Sequence, residues 1–340
     1  MTWLVWRQHR QQLLFGVAGL FVFGALFLAT GLPIHDRFEE AGLADCLPQT
    51  IDSTVVANLN DPIDTGPSGT DDPGGTGNTA DGDDSTEAIT ACAQTADEFY
   101  ADNENVVGWG GFAPLLLPML VGIFWGAPLV AREIEHGTHR LVWTQGTSRL
   151  RWAATKFGLV SIGVLAMTAV FAAMLNWWIS PVMQTSGQRF DYIFFDTHGI
   201  VLLGYAMFAL ALGVFAGAVT GRLLPAMATV VVGFVATRVV VTLVARDHYL
   251  PTETRRISVA GQDLGDSYQQ WNLLHGDWIR SEPSDGKLGC PAGAADCVET
   301  LTMHPASQFW AFQTIETAIF IALAISLLLA TIYWIRRRIS

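Results

Sequence analysis

The chain has 340 residues, of which 51% are hydrophobic and 15% are Asp, Glu, Lys or Arg, and its formal net charge is −12. Soluble domains carry roughly 25% charged residues, and several apolar runs here reach the ~20 residues that a transmembrane helix needs, which excludes an ordinary soluble protein. No dense basic stripe accompanies the acidic balance, which argues against nucleic-acid binding. The sequence predicts an all-α polytopic membrane protein with six transmembrane helices and two sizeable extracytoplasmic loops.

The first half of the chain contains three predicted spans. Span 1 is interpreted as an uncleaved helix, because its apolar run exceeds the about 7–15 residues of a signal peptide. The loop after it is acidic, and its middle at 61–84 is rich in Asp, Gly, Thr and Pro, which predicts disorder. The predicted segments are a cytoplasmic interfacial segment at 1–12, span 1 at 13–32, an extracytoplasmic loop at 33–111, span 2 at 112–130, a cytoplasmic segment at 131–155 and span 3 at 156–179.

The second half contains the other three spans, so both termini lie on one side. The predicted segments are an extracytoplasmic loop at 180–198, span 4 at 199–219, a cytoplasmic turn at 220–223, span 5 at 224–245, an extracytoplasmic loop at 246–309, span 6 at 310–335 and a tail at 336–340. The side with the termini holds 11 basic and two acidic residues, against seven basic and 28 acidic residues on the other side. By the positive-inside rule, both termini are predicted to be cytoplasmic in a bacterial plasma membrane.

The four cysteines all lie in the predicted extracytoplasmic loops. Cys46 and Cys92 are in the first large loop, and Cys290 and Cys297 are in the second. An even number of cysteines on the oxidising side predicts disulfide bonds. We expect Cys46 to pair with Cys92 and Cys290 with Cys297, and pairing between the two loops is the alternative. A zinc site is disfavoured, since the spacing has no CxxC pattern.

No nucleotide-binding or hydrolase motif is present. The sequence contains no GxxxxGK[ST] phosphate loop, no HExxH and no GxSxG. Four polar residues in the 131–155 segment offer an alternative, a metal site in a membrane hydrolase; they are Glu133, Glu135, His136 and His139. The two histidines are three residues apart and no further Glu completes a zinc-protease motif, so a solvated helical corner is the simpler interpretation.

The same segment resembles a known signature. Its acidic residues are followed by Gly137 and Thr138, a Leu-containing turn and a basic residue opening the next span. The residues that carry the resemblance are EIEHGT at 133–138, Leu141, Thr144, Gln145, Arg149 and Lys156, together with WLVWRQHR at 3–10 and HPASQFWAFQTIE at 304–316. This pattern is similar to permeases of the type-2 class of ATP-binding cassette (ABC) exporters, in particular their actinobacterial members.

The resemblance implies a six-span permease half with no catalytic residues and no bound cofactor. Two such halves, as a homodimer or a heterodimer, would each dock on a cytoplasmic ATPase that binds ATP and Mg²⁺. The coupling segment that contacts the ATPase would contain Arg132, Glu133, Glu135, Gly137, Thr138 and Leu141. Gly137 and Thr138 are suited to end one helix and cap the next, which gives a rigid corner that a partner could push.

Two ionisable residues interrupt the apolar spans. Arg238 lies nine residues before Asp247, about 13 Å deep, and Glu316 lies eight residues past Gln308, about 12 Å deep from the same side. Intramembrane charges are costly and usually face a partner or a wet cavity, so we predict that Arg238 and Glu316 pair, with Gln313 nearby. The pair is interpreted as a staple between spans, and a substrate gate is the alternative.

Three glycines repeat every four residues at the end of span 4: Gly213, Gly217 and Gly221. Small residues at this spacing let helices approach closely. We expect this face to pack within the chain, with a dimer seam as the alternative.

The sequence as a whole predicts the membrane subunit of an ATP-driven exporter. Two alternatives remain: a polytopic metalloenzyme or protease, and a membrane sensor whose disulfide-bonded outer loops bind a ligand. The enzyme would require metal-dependent turnover without an ATPase, and the sensor would require ligand binding by the outer loops.

Overall fold

The computed structural model describes residues 2–47, 80–110, 112–136, 149–186, 190, 192–258, 298–304 and 306–338. Among these residues, six helices are long and apolar enough to cross a membrane. They cover Arg10–Glu40, Leu116–Glu135, Ala153–Ser186, Val201–Thr220, Leu223–Ala245 and Phe309–Arg337. The predicted all-α polytopic architecture with six transmembrane helices is confirmed for the membrane-spanning part, and two short strands lie outside the spans. We call these helices span 1 to span 6, and we call the side on which span 1 begins and span 6 ends the termini face.

Spans 2 and 5 each change from α-helix to π-helix part-way along their length. The α-helices that contain the spans are Thr2–Glu40, Ala113–Val121, Ala127–Glu135, Arg149–Ser186, Val201–Thr220, Leu223–Val240 and Phe309–Arg338. The π-helical segments are Gly122–Gly126 in span 2 and Val241–Ala245 in span 5. A π-helical turn takes up one extra residue, so it rotates the side chains that follow it relative to those before it.

Shorter elements connect the spans at the face opposite the termini. The helices Ala80–Asp102 and Glu104–Gly110 precede span 2, and the helix Tyr192–Thr197 precedes span 4. Strands Glu253–Ser258 and Val298–Met303, between spans 5 and 6, pair antiparallel from Glu253 with Met303 to Ser258 with Val298. The first of these helices begins inside the stretch predicted to be disordered, of which residues 61–79 lie outside the described part of the chain.

Span 4 is the central helix of the bundle. In the 18-residue apolar stretch of span 4, 83% of the residues are buried, whereas in that of span 1 only 11% are buried. Spans 2, 3, 5 and 6 all contact span 4, whereas span 1 packs on span 3. A helix that is hydrophobic on every face, as span 4 is, favours this surrounded position because each face then meets another helix.

Span 1 is held to span 3 by aromatic side chains and one hydrogen bond. The Phe27 ring stacks on Trp178 with 5.1 Å between centroids. The indole Nε1 of Trp178 donates a hydrogen bond of 2.8 Å to the hydroxyl of Thr30. The polar tip of a largely buried Trp therefore has a partner, as such side chains usually do.

Spans 2 and 4 touch backbone to backbone along a seam of glycines. A Cβ atom on Gly213 would lie 2.6 Å from the Ala127 nitrogen, and one on Gly217 would lie 2.7 Å from the Ala127 carbonyl oxygen. Span 2 contributes Gly126, where a Cβ would lie 2.6 Å from the Leu210 carbonyl oxygen. The Gly213–Gly217 face thus packs within the chain. Gly221, with φ of 62°, ends span 4 by donating its N–H to the Gly217 carbonyl.

A bulky side chain in this seam is expected to disrupt the bundle. Gly213→Leu and Gly217→Leu should each lower the stability of the purified protein by about 1–3 kcal/mol, because the added side chain would collide with the backbone of span 2. The measurement is the thermal unfolding midpoint in detergent, followed by tryptophan fluorescence. Gly163→Leu in span 3 is the matched control, since nothing lies within 4 Å of its Cβ position. Equal midpoints for the seam and control variants would refute the tight seam.

Candidate functional site

Six polar side chains meet where spans 4, 5 and 6 reach the face opposite the termini. The set, which we call the ion-pair cluster, comprises Asp196, Tyr205, Arg238, Arg246, Tyr249 and Glu316. Glu316 is fully buried, and only 8% of Arg238 and 4% of Arg246 is exposed. Two arginines and two carboxylates make the cluster electrically balanced, which is the condition under which buried charges are tolerated.

The two arginines bridge the two carboxylates. Arg238 places Nη1 3.0 Å from Glu316 Oε1 and pairs through Nη2 with Asp196. Arg246 binds Glu316 in a bidentate manner, with Nε 3.0 Å from Oε2 and Nη2 2.9 Å from Oε1. Its Nη2 also lies 3.0 Å from Asp196 Oδ1. The structure thus brings Arg238 and Glu316 together, as their matched depths indicate, and adds a second cation and a second anion.

Arg246 reaches the cluster because of the π-helical segment in span 5. In an α-helix of about 100° per residue, eight residues would place Arg246 about 80° around the helix from Arg238. The N–H of Arg246 instead bonds to the carbonyl of Val241, five residues earlier. The extra residue in this turn returns Arg246 to the face of Arg238. Helical periodicity in the sequence therefore gives no signal for the second arginine.

Tyrosines and aromatic rings complete the cluster. The hydroxyl of Tyr205 lies 3.0 Å from Asp196 Oδ1 and 2.5 Å from Glu316 Oε1. The guanidinium of Arg238 lies 3.8 Å from the centroid of the Tyr205 ring. Burial, and then the Glu316 carboxylate, hold the pKa of Tyr249 above its usual range, so this phenol stays protonated. It donates to Glu316 Oε2 at 3.3 Å.

Gln313 positions the segment that carries Asp196, which is the end of the Tyr192–Thr197 helix and the bend that follows it up to Ile200. We call this segment the Asp196 turn. Its Oε1 accepts hydrogen bonds from the N–H groups of Ile200 and Val201 at 3.1 and 3.0 Å. Its Nε2 donates to the carbonyls of Phe195 and His198 at 2.8 and 3.0 Å. One buried amide therefore satisfies four backbone groups where span 4 begins. Gln313 was predicted near the ion pair, and the structure places it beside the pair as a support for the Asp196 turn.

Gly199 and Asn176 fix the same turn from the other side. Gly199 has φ of 99°, a conformation that favours glycine, and its N–H donates to Asn176 Oδ1 at 2.8 Å. A Cβ on Gly199 would also lie 2.6 Å from Gln313 Oε1. The segment after Asp196 is thus bonded to Asn176 of span 3 on one side and to Gln313 of span 6 on the other.

A second polar site lies at the termini face, where span 2 ends. Lys156 of span 3 is buried, with 3% of its surface exposed. Its ammonium pairs with the carboxylate of Glu133 and donates to the Leu129 carbonyl at 2.8 Å. This pair joins the end of span 2 to the beginning of span 3.

Glu135 joins the same end of span 2 to span 5. Its Oε2 accepts a hydrogen bond of 3.3 Å from the backbone N–H of Leu223, the first residue of the span 5 helix. A carboxylate is favoured there, because the first N–H groups of a helix have no intrahelical partner and carry partial positive charge. Arg132 and His136 are exposed beside it. The other residues predicted in the coupling segment lie outside the described residues: Gly137, Thr138 and Leu141.

A family model described as "ABC-2 membrane transporter related" matches residues 76–246, half of the chain. The chain belongs to this family. It is a multi-pass membrane transporter of the permease type, as the resemblance of the 133–156 segment indicates. No curated protein and no solved structure matches the chain at a significant level.

The matched segment of the permease contains the Glu133–Lys156 pair and the carboxylate cap of span 5. It also contains Asp196, Tyr205, Arg238 and Arg246, whereas Tyr249 and Glu316 lie beyond it. Both polar sites therefore fall largely within the family region.

The metal site considered from the sequence gains no support from the described part of the permease. No group of three or more His, Cys, Asp or Glu side chains there is placed to hold a metal ion. Glu133 is paired with Lys156, Glu135 caps span 5, and His139 lies outside the described residues.

Proposed function

We propose that the permease is the membrane-spanning half of an ABC exporter, driven by a separate cytoplasmic ATPase. Two six-span halves would enclose the substrate path in a bacterial plasma membrane, with both termini cytoplasmic. ATP and Mg²⁺ would bind to the ATPase partner, and this chain would bind no cofactor. The excess of basic residues on the termini face supports this orientation.

The observation that carries the proposal is the double attachment of the end of span 2. Glu133 ties it to span 3 through Lys156, and Glu135 ties it to span 5 through Leu223. A push on the residues that follow Glu135 would therefore act on three spans together. Span 2 also contacts the central span 4 along the glycine seam, so the movement would reach the middle of the bundle.

The ion-pair cluster would serve as the staple at the opposite end of the bundle. It holds spans 4, 5 and 6 and the Asp196 turn together at the face opposite the termini. When the termini face moves, this end would act as a fixed pivot. The alternative role, a substrate gate, would require the cluster to separate during transport.

Purification of the tagged chain from its native membrane, with mass spectrometry of the proteins that accompany it, tests the proposal. We expect a nucleotide-binding ATPase to co-purify with the parent and to be lost from a Glu135→Ala, Gly137→Trp variant. Glu39→Ala is the control, because Glu39 is exposed at the opposite face. The unfolding midpoint of each variant shows whether a loss reflects misfolding.

Two results would overturn the proposal. Absence of an ATPase together with stoichiometric zinc on the parent chain would favour the enzyme. Absence of both, with ligand binding by the outer loops, would favour the sensor. An ATPase that remained bound to the corner variant would move the coupling site elsewhere on the termini face.

A further inference from the structure

A groove of about 760 Å³ opens at the termini face between the end of span 2 and the beginning of span 5. Arg132, Glu135, His136, Arg222, Leu224 and Pro225 line it. Both arginines are exposed, and the Glu135 carboxylate already accepts the Leu223 N–H at 3.3 Å. The groove therefore offers two guanidinium groups against one carboxylate that has a partner, which favours an anionic ligand.

The beginning of span 5, beside the two arginines, is apolar and exposed. Leu224 is 78% exposed and Pro225 is exposed beside it. Further along span 5, Val231 and Val232 are 37% and 69% exposed. Two arginines at the end of the bundle, next to an exposed apolar helix face, suit an amphiphile with a negatively charged headgroup and hydrocarbon tails. A soluble anion would contact the two arginines but not the apolar side chains of Leu224 and Pro225 that also line the groove.

We propose that this groove binds the headgroup of an anionic phospholipid from the leaflet at the termini face. Arg132 and Arg222 contact the phosphate, and the acyl chains lie along Leu224 and Val232. Basic pockets between transmembrane helices are known to hold anionic headgroups in this manner. The bound lipid bridges spans 2 and 5 beside the Glu135 cap. The site does not depend on the proposed ATPase, since every residue it uses belongs to this chain.

Native mass spectrometry of the full chain, titrated with phosphatidylglycerol or with phosphatidylcholine in detergent, tests the site. We expect the parent to retain phosphatidylglycerol preferentially, and Arg132→Gln with Arg222→Gln to weaken that binding about tenfold or more. The control is Arg336→Gln with Arg337→Gln, which removes two exposed arginines from the same face outside the groove. Leu224→Trp, which obstructs the groove without changing charge, should also weaken binding.

Three results would overturn the proposal. An equal loss in the control variant would mean general attraction of anionic lipid to a basic surface. Displacement of the lipid by inorganic phosphate at equal concentration would mean that the groove recognises a free anion. Unchanged lipid binding in the groove variants, with loss of a co-purifying ATPase, would assign the groove to a protein contact. Because lipid binding is measured without ATP or ATPase, its failure leaves the exporter proposal to its own experiment.

Discussion

Replacing Glu316 with alanine is expected to destabilise the protein by about 3–5 kcal/mol, the largest effect of any single change proposed for this chain. Glu316 is fully buried and bonds to Arg238, Arg246, Tyr205 and Tyr249. Its removal leaves two buried arginines facing Asp196 as the one remaining carboxylate of the cluster. An uncompensated buried cation costs far more than the pair itself contributes, so the loss should exceed that of a surface ion pair.

The thermal unfolding midpoint in detergent measures this effect, with tryptophan fluorescence as the signal because the chain has 12 Trp residues. Glu39→Ala, which removes an exposed carboxylate on the same side of the membrane, is the control and should change stability by less than about 0.5 kcal/mol. Similar midpoints for Glu316→Ala and the control would show that the cluster does not hold the spans together.

Because Arg238 and Glu316 belong to a larger cluster, a double-mutant cycle tests their contact better than an exchange of their charges does. A charge swap, Arg238→Glu with Glu316→Arg, is the natural test of an isolated pair. In the cluster, however, the arginine introduced at 316 would face Arg246, and the carboxylate introduced at 238 would face Asp196. The swap is therefore expected to fail even though the two side chains touch. Arg238→Met with Glu316→Gln should instead show a coupling energy of about 0.5–3 kcal/mol in a double-mutant cycle.

Removing the Cys46–Cys92 disulfide is expected to cost about 4 kcal/mol in the chain-entropy model. The two residues are 46 apart in sequence and their Cα atoms lie 6.1 Å apart. The bond joins the segment that follows span 1, six residues past its last residue Glu40, to the Ala80–Asp102 helix. The Phe38 ring of span 1 also meets the Phe99 ring of that helix, with 5.6 Å between centroids. Without the bond, the unfolded chain regains the freedom of a long loop, and the folded state gains nothing in return.

The variant is Cys46→Ala with Cys92→Ala, and its unfolding midpoint is compared with that of the parent. The control is Cys290→Ala with Cys297→Ala. The disulfide predicted between these two residues would close a shorter loop, so its loss is expected to cost about 2.5 kcal/mol. The second pair lies outside the described residues, so its connectivity stays a prediction. Peptide mapping without reductant that recovered a peptide joining the two loops would contradict both assignments.

Much of the architecture could be predicted because the relevant signals are local. Runs of about 20 apolar residues identify the spans whatever their neighbours, since the bilayer acts on each helix separately. Depth is also local, because 1.5 Å per residue converts distance along the chain into position across the membrane. That is how the sequence indicated Arg238 and Glu316 as partners, which the structure places 3.0 Å apart.

The remaining members of the polar sites depend on contacts that no local pattern records. Arg246 joins Arg238 because a π-helical segment rotates the end of span 5, and its sequence, VTLVA, differs little from the rest of the span. Asp196 enters the cluster because Gln313, 117 residues later, holds its turn by bonds to Phe195 and His198. In sequence, nothing in the loop at 180–198 before span 4 distinguishes Asp196 from a solvated carboxylate.

For Glu133 and Glu135 too, the sequence indicates the segment, whereas the folded structure decides the partners of each carboxylate. Their sequence context indicated the segment that ends span 2, which lies inside the region that the family model matches. Their individual partners, Lys156 and the N–H of Leu223, follow from the arrangement of spans 3 and 5 around span 4. Hydropathy determines that a helix crosses the membrane, because that depends on its own residues. Its neighbours and its rotation are determined by packing, hydrogen bonds and charge pairing between helices, which exist only in the folded bundle.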